Sequence, residues 1–252
     1  MNFALLDPTL LGPPLLAGLL VAATHVPLGR EVLRRGIVFI DLAIAQVAGL
    51  GGLLALRVGL GDHALAPQAL ALAAALIAAA ALGYSERRWP RLQEPLIGSL
   101  FVLAASAGVL LLAGDPHGGE HLNTLLAGQI LWVDHEVLQP VALVYGAVLA
   151  LWAALPRLRR GAGFYLLFAV SVTASVQLVG VYLVFASLIL PALAVRRLHG
   201  LRAVVAGWLV AAAGYASGLL IAALSDLPPG PLIVWTLAAA ALAGGQLATR
   251  HR

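Results

Sequence analysis

One carboxylate lies near the start of a long apolar segment: Asp41, within GIVFIDLAIAQVAGLGG (residues 36–52). If that segment crosses a membrane as a helix, an unpaired charge there costs on the order of 2.5–3.5 kcal/mol on insertion scales. Two interpretations explain its presence. Asp41 is either part of a path for a cation, or a structural residue that caps the helix or pairs with the nearby Arg30, Arg34 and Arg35. A functional path is the default hypothesis for such a residue, and the sequence leaves both open.

The helical face that carries Asp41 is otherwise made of small residues. Helical spacing places Ala45, Ala48 and Gly52 on the same face, and a stripe of small residues lets a neighbouring helix approach closely. We therefore expect the carboxylate to point into a helix interface or a cavity and not toward lipid. Gln46 is a second candidate residue of a metal path, although five positions place it roughly 140° around the helix from Asp41.

Other polar residues in the apolar segments have two interpretations each. His25, near the end of the first segment, is either a partner for Asp41 or a hydrogen-bonded structural residue. Five polar residues around position 180 either line a wet path or form hydrogen bonds between helices, worth about 0.6 kcal/mol each. They are Ser171, Thr173, Ser175, Gln177 and Ser187. We expect at least one of the five to line the path.

A second group of chemically active side chains lies in one polar stretch, Asp115-Pro-His117-Gly-Gly-Glu120-His121. Carboxylates and imidazoles are the usual protein ligands of divalent transition metals. His117, Glu120 and His121 are therefore candidate metal ligands at the outer mouth of a path. The alternative is that the stretch is polar only because it lies in water, since its spacing matches no specific metal-binding motif.

Composition places these residues in a membrane protein. The chain is 62% hydrophobic and 10% charged, with a mean hydropathy of +0.98, whereas soluble domains have about 25% charged residues. It contains no cysteine, which excludes disulfides and thiolate metal sites. It also contains no lysine, which excludes a phosphate-binding P-loop. The sequence also lacks the H-E-x-x-H and G-x-S-x-G motifs of metalloproteases and serine hydrolases. We therefore expect no enzyme, no catalytic residues and no permanently bound cofactor, and any ATP hydrolysis must occur in a separate polypeptide.

Apolar segments of about 17–25 residues recur along the chain and are long enough to cross a bilayer as helices. Continuous Leu- and Ala-rich runs favour helices over strands of alternating polarity. We predict nine spans: residues 10–28, 37–59, 65–84, 95–113, 137–155, 163–178, 180–197, 203–224 and 231–248. The sixth and seventh are short and meet at residues 178–180, so eight is the alternative count. The predicted fold class is all-α, with one integral-membrane domain over residues 1–252.

The arginine positions predict how these helices are oriented. In the nine-span arrangement, fourteen of the fifteen arginines fall on one side and only Arg57 falls on the other. Because basic residues are retained on the cytoplasmic side, we predict an outer N-terminus and a cytoplasmic C-terminus in the cell inner (cytoplasmic) membrane. The outer side then carries the polar stretch with His117, as well as Asp7, Asp62 and Asp226.

Three stretches of the sequence resemble the permease subunits of zinc and manganese ATP-binding cassette (ABC) importers. They are LRRGIVFIDLAIAQVAGLGGLLAL, in which two arginines precede the Asp41 helix, then NTLLAGQILWVDHEVL, and finally SVTASVQLVGVYLVFASLILPALAVRRL. The last is the most specific, because it is similar to the family's signature of a VG pair followed by a PAA and an RR pair. The resemblance extends over roughly residues 10–248.

The resemblance implies a homodimeric permease that transports a divalent metal, zinc or manganese. Two cytoplasmic ABC ATPases would drive it, and a periplasmic or extracellular metal-binding protein would deliver the ion. Asp41 occupies the family's pathway carboxylate position, whereas Ala45 stands where the family usually has a histidine.

The cytoplasmic segments differ from those of the family. In relatives, a longer segment before the VG signature supplies the helix that engages the ATPase, and here only residues 155–163 stand in its place. The Arg-rich turns on this side are then the candidate partner-binding residues: Arg157, Arg159, Arg160, Arg196 and Arg197. The short segment and the missing histidine motivate an alternative function, a channel-like or accessory membrane protein on the same scaffold that is not driven by ATP.

Overall fold

The computed structural model describes residues 8–61, 63, 65–113, 115–225 and 227–250, so the predicted outer residues Asp7, Asp62 and Asp226 lie outside it. These described residues contain helices and no strand, which confirms the all-α prediction. Nine α-helices are numbered here in chain order: α1 Pro8–Arg35, α2 Ile40–Arg57, α3 Ala66–Arg88, α4 Gln93–Leu112, α5 Gly118–Ala127, α6 His135–Ala154, α7 Gly161–Ala194, α8 Gly200–Ser225 and α9 Pro229–Arg250. Short 3-10 helices form at Pro90–Leu92, Ile130–Trp132 and Pro156–Arg159.

Seven helices in the described part of the chain are long and apolar enough to cross a membrane, namely α1, α2, α3, α4, α6, α7 and α8. This confirms a multi-pass membrane protein. The nine predicted spans are reproduced only in part, because the sixth and most of the seventh lie in the single helix α7 and the ninth, in α9, is not one of the seven. With ten residues, α5 is too short to cross, since a span needs about 20. The orientation of the termini stays a prediction.

Gly180 interrupts α7 at the point where the predicted sixth and seventh spans meet. Its backbone angles, φ 78° and ψ 164°, are non-helical and lie in a region that only glycine adopts readily. The backbone of Gly128 lies directly against it, and a Cβ on either glycine would collide with the backbone of the other segment. A straight helix of 34 residues would be about 51 Å long, far more than the ~30 Å hydrocarbon core. The break therefore divides α7 into two shorter helical segments.

The described residues belong to two compact units. The terminal unit comprises residues 1–35, 127–146 and 178–252, and the central unit comprises residues 36–126 and 147–177. The boundary within α7 falls next to Gly180, so its two helical segments contribute to different units. That residues 1–252 form one permease domain stays a prediction.

The terminal unit is held together by α8, which packs against both α9 and α1. Tyr215 of α8 is fully buried, and its ring fills the space beside Gly18 of α1. The Tyr215 hydroxyl lies 2.7 Å from the Oγ of Ser187 in α7. A hydrogen bond between helices thus accompanies close packing on glycine, which is the usual way that membrane helices associate.

The central unit is built around α2, which packs against α3 and α4. At one end of this unit, Ser85 of α3 donates a 2.8 Å hydrogen bond to Gln93 Oε1 of α4, and Gln93 Nε2 donates a 2.9 Å bond to the hydroxyl of Tyr165 in α7. All three side chains are buried. Because each polar atom in this network has a partner, the network can hold three helices together at little desolvation cost.

Candidate cation path in the central unit

Asp41 lies in the first turn of α2 and is fully buried, with 0% of its surface exposed. Neither carboxylate oxygen has a hydrogen-bond partner within the described residues. The side chain does not cap the helix, because α2 begins after Phe39 without a side-chain cap bond. Its position near the positive end of the helix dipole stabilises a negative charge by about 0.3–1 kcal/mol, which is well below the cost of burying one.

Two of the three arginines suggested as partners of Asp41 are engaged elsewhere. Arg34 Nε donates a 2.7 Å bond to Glu31 Oε2, and Arg35 Nε donates a 2.8 Å bond to Glu31 Oε1. Among the ion pairs in the described ranges, none involves Asp41. The pairing interpretation is therefore not supported by the geometry, and a carboxylate without a partner in a membrane helix calls for a ligand.

His25 has the geometry of the structural interpretation. It is fully buried in α1, and its Nδ1 lies 2.9 Å from the carbonyl oxygen of Val21, one helical turn earlier. The hydroxyl of Thr24 lies 3.0 Å from the same nitrogen. These local bonds account for a buried imidazole without assigning it a role in transport.

The Asp41 face of α2 is packed as its small residues predict. Ala45 and Ala48 are buried together with Asp41, and Gly52 is partly buried. Gln46 is also buried, although it lies on a different face of the helix. Both residues predicted to belong to a metal path are thus inside the protein and do not face lipid.

A cavity of about 360 Å³ opens beside the C-terminal half of α2. Ala48, Gly49 and Gly52 form part of its wall, and α3, α5 and the first segment of α7 contribute the rest. Ala48 is seven residues from Asp41, which corresponds to about 10 Å along the helix axis. Since the wall continues the stripe of small residues that begins at Asp41, the cavity and the carboxylate share one face of α2.

The polar side chains of this cavity lie mostly at its exposed margin. They are Gln68, His121, Thr124, Thr173 and Gln177. All of them except Thr173 are exposed. Thr173 is only 4% exposed, and its Oγ1 has no hydrogen-bond partner within the residues that the structure describes. Serine and threonine in helices usually bond to the carbonyl one turn earlier, so this hydroxyl is available to a ligand.

The remaining polar residues of α7 form hydrogen bonds within the protein. Ser171 bonds to the carbonyl of Leu167, and Ser187 bonds to that of Leu183 as well as to Tyr215. Ser175 bonds to the carbonyl of Ser171. The five polar residues singled out in the sequence thus divide in two: three make internal hydrogen bonds, whereas Thr173 and Gln177 line the cavity.

The polar stretch that carries His117 contains a helix that we did not predict. The carboxylate of Asp115 accepts a 2.9 Å bond from the backbone N–H of His117, and α5 begins at Gly118. A local signal for this helix exists, because Asp favours such turns before helices. Glu120 and His121 are therefore helical residues, and only His121 lines the cavity.

The candidate metal ligands at the outer mouth do not converge on one point. His117, Glu120 and His121 are all exposed, and within the described ranges no three His, Asp or Glu side chains are grouped so that they could hold a metal ion. His121 also lines a smaller cavity of about 140 Å³ together with Asp115 and Arg57. Their role as ligands stays a prediction.

The predicted partner-binding arginines have different environments. Arg159 Nε donates a 2.7 Å bond to the carbonyl of Trp152 near the end of α6, and its guanidinium stacks on the Trp152 ring at 5.6 Å. Arg157 and Arg160 are exposed on either side of it, in and after the 3-10 helix Pro156–Arg159. Arg159 therefore caps the C-terminal end of α6, while Arg157 and Arg160 are accessible to a partner.

An all-helical chain with several membrane spans and an unpaired carboxylate inside one of them has the architecture of a membrane permease. The chain belongs to the ABC 3 transport family, which matches residues 8–160 and 148–247. The expected membership in the permease family of metal ABC importers is thereby confirmed. The chain is a transport subunit of this family and not an enzyme.

Solved structures that are similar to the chain include the following two. PsaBC from Streptococcus pneumoniae, in complex with Fab, is 23% identical with a TM-score of 0.75, over 97% of this chain and 95% of that one. A protein assigned as a metal-chelate type ABC transporter, in an inward-facing conformation, is 19% identical with a TM-score of 0.61, over 94% and 85%. At these identities the likeness shows the fold. No curated protein matches the chain.

Proposed function

We propose that the chain is the membrane-spanning subunit of an ABC importer for divalent metal ions, zinc or manganese. The observation that carries this proposal is Asp41, a buried carboxylate without a partner among the described residues of a family permease. Buried polar groups in proteins are almost always hydrogen-bonded, and an exception calls for an explanation. A passing divalent cation supplies the missing partner.

The proposed path follows one face of α2. A hydrated ion enters the cavity beside Gly52, meets the free hydroxyl of Thr173, and continues along Ala48 and Ala45 to Asp41. Ala45 and Ala48 are buried, so the helices packed on this face must separate for the ion to pass. Asp41 then provides the negative charge that makes a divalent cation more stable inside the membrane than a bare apolar channel would.

The donor atoms along this path favour manganese over zinc. Asp41 and Thr173 offer oxygen, whereas Ala45 provides no imidazole where the family usually has one. Carboxylate, carbonyl and water oxygens suit Mn²⁺, while imidazole suits Zn²⁺. We therefore propose that both ions are accepted and that manganese is taken up in preference.

The energy for import comes from a separate ATPase, because a chain without lysine cannot contain a P-loop. We propose that exposed Arg157 and Arg160 contribute to its docking site, that a metal-binding protein delivers the ion at the outer side, and that two copies of the chain assemble as a homodimer. Such rim charges mainly raise the rate of encounter. The likeness to a metal-chelate type ABC transporter supports this arrangement.

One observation favours a second candidate function, a channel-like or accessory protein that is not driven by ATP. The segment between α6 and α7 contains only the four-residue 3-10 helix Pro156–Arg159. A helix this short presents little surface to an ATPase. The two functions differ in their response to ATP depletion, which stops an importer and leaves a channel open.

Uptake of radiolabelled manganese and zinc into cells of the native host tests the proposal. Asp41→Asn should reduce uptake at limiting metal to the level of a strain without the protein, because the amide cannot neutralise a dication. The control Glu136→Gln makes the same chemical change at an exposed residue and should keep full uptake. Both variants are compared at equal abundance in the membrane fraction.

Normal uptake by Asp41→Asn would contradict the proposed role of this residue. Uptake by the unmodified protein that continues after ATP depletion, at constant membrane potential, would replace the importer with the second candidate function. Loss of uptake in both Asp41→Asn and Glu136→Gln would show that the effect of Asp41→Asn is not specific to the buried carboxylate.

A further inference from the structure

A groove of about 460 Å³ lies in the terminal unit, along the second segment of α7 and the C-terminal part of α9. Leu190 and Leu193 of α7 form one wall, and Ala238 and Leu242 of α9 form the other. The two helices come close at the floor of the groove, where the glycine pair 244–245 faces Ala194. The groove is thus an apolar channel between α7, a candidate membrane span, and α9, which contains the span predicted from the sequence at residues 231–248.

Two arginines line the same groove. Arg196 and Arg197 belong to the turn that follows α7 directly, and both are exposed. Arg196 Nη1 lies 3.5 Å from the carbonyl oxygen of Leu193, which keeps this guanidinium beside the wall of the groove. Among the ion pairs of the described residues, none involves either arginine. Two positive charges therefore stand at one end of an apolar channel, on the side predicted to be cytoplasmic.

We infer that this groove binds an anionic phospholipid, with an acyl chain along the apolar walls and the phosphate at Arg196 and Arg197. Guanidinium groups bind phosphate oxygens in a bidentate manner. Basic pockets between membrane helices on the cytoplasmic side are suited to anionic headgroups. The lipid matches both parts of the groove, because it carries a long apolar chain and a negative charge in one molecule.

A second copy of the chain fits the groove less well. The residues that line it include two arginines and no carboxylate, so a symmetric contact through this groove would add the partner's arginines without any charge to offset them. The inference also changes the assignment of Arg196 and Arg197, which the sequence suggests as partner-binding residues for an ATPase. It does not rest on the proposed transport of a metal ion.

The absence of cysteine allows a direct test with a single fluorescent label. Leu242, a groove residue that is 69% exposed, is replaced by cysteine and labelled with bimane. The full-length protein is placed in phosphatidylcholine vesicles that contain increasing amounts of brominated phosphatidylglycerol or brominated phosphatidylcholine. Brominated chains quench a label only on contact, so quenching reports which lipid occupies the groove.

We expect brominated phosphatidylglycerol to reach half-maximal quenching at a clearly lower mole fraction than brominated phosphatidylcholine. Each arginine near an anionic lipid contributes roughly five-fold in affinity, so Arg196→Gln and Arg197→Gln together should bring the two lipids close to equality. A label at Leu103 of α4, which is 67% exposed and lies outside the groove, should show no preference in any variant. Quenching by brominated phosphatidylcholine at Leu103 serves as the control for folding and insertion.

Three results would overturn the inference. Equal quenching of the Leu242 label by both lipids would show that the groove has no affinity for the anionic headgroup. A preference that persists in the double glutamine variant would show that the arginines do not bind it. Protection of the Leu242 label from both lipids, with the Leu103 label still quenched, would show that a protein surface covers the groove.

Discussion

Besides Oε2 of Glu94, two buried polar groups in the central unit lack partners among the described residues: the carboxylate of Asp41 and the hydroxyl of Thr173. Leaving one buried neutral group unsatisfied costs about 1–3 kcal/mol, and more for a charged group. Such a cost is retained where function needs it. Asp41 lies on the face of α2 that leads to the cavity, and Thr173 lines the cavity itself. These two positions are the basis for the proposed cation path.

Thr173→Val should raise the metal concentration for half-maximal uptake roughly three- to ten-fold, because one hydrogen bond to the passing ion's water shell is lost. The two side chains have nearly the same shape, and the hydroxyl has no partner within the described part of the protein, so thermal stability in detergent should not fall. Thr173→Ser should keep normal uptake because it retains the hydroxyl.

Ser187→Ala provides the contrasting control for Thr173. It removes the 2.7 Å hydrogen bond to Tyr215, so it should lower the stability by about 1 kcal/mol and leave the concentration for half-maximal uptake unchanged. If Thr173→Val behaves like Ser187→Ala, the threonine has a structural role and does not belong to the path.

At the scale of elements, glycines determine where helices approach and where they break. Gly49 of α2 faces the side chain of Leu125 in α5, and a Cβ there would meet the leucine methyl groups. α5 therefore lies directly on α2 at the wall of the cavity. Gly180 and Gly128, both with positive φ, place the break of α7 against the segment that follows α5.

Gly180→Ala should destabilise the protein by roughly 1–3 kcal/mol, the usual cost of a strained backbone conformation. The added Cβ meets both an unfavourable φ of 78° and the backbone of Gly128. The matched control is Gly146→Ala in the interior of α6, where a Cβ has open space and alanine favours the helix. Thermal denaturation in detergent should separate the two, and equal stability of both variants would show that the break does not require glycine.

At the scale of the whole molecule, the main structural prediction is the orientation in the membrane. Single cysteines can be labelled without background, because the chain has none. Gly119→Cys in α5, where a side chain has open space, should react with an impermeant thiol reagent added outside intact cells. Leu155→Cys, exposed between α6 and α7, should react only after the membrane is made permeable.

Gly161 is an alternative labelling position on the predicted inner side. Leu155 is preferred, because Gly161 has a φ of 52°, at which a cysteine would have a strained backbone. The reverse labelling pattern would overturn the orientation. It would also move the proposed docking arginines Arg157 and Arg160 to the outer side of the membrane and thus exclude them as contacts for an ATPase.

The sequence by itself determined the properties that depend on composition and local order. High hydropathy excludes a soluble fold, apolar runs of span length predict membrane helices, and helical spacing places Ala45 and Ala48 beside Asp41. Residues 178–180, where the sequence left open whether one span or two are present, coincide with the break at Gly180. The family was also recognisable from motifs in three stretches. Each of these properties belongs to a single segment, which is why a linear pattern carries it.

Only the tertiary structure decided how distant residues meet. The cavity takes its walls from α2, α3, α5 and α7, so no single segment contains it. Thr173 and Ser171 look alike in the sequence, and only packing shows that one hydroxyl is free while the other bonds to Leu167. Glu31 holds Arg34 and Arg35, which leaves Asp41 without them. Whether a buried polar group has a partner depends on every helix packed around it, and that information exists only once the chain has folded.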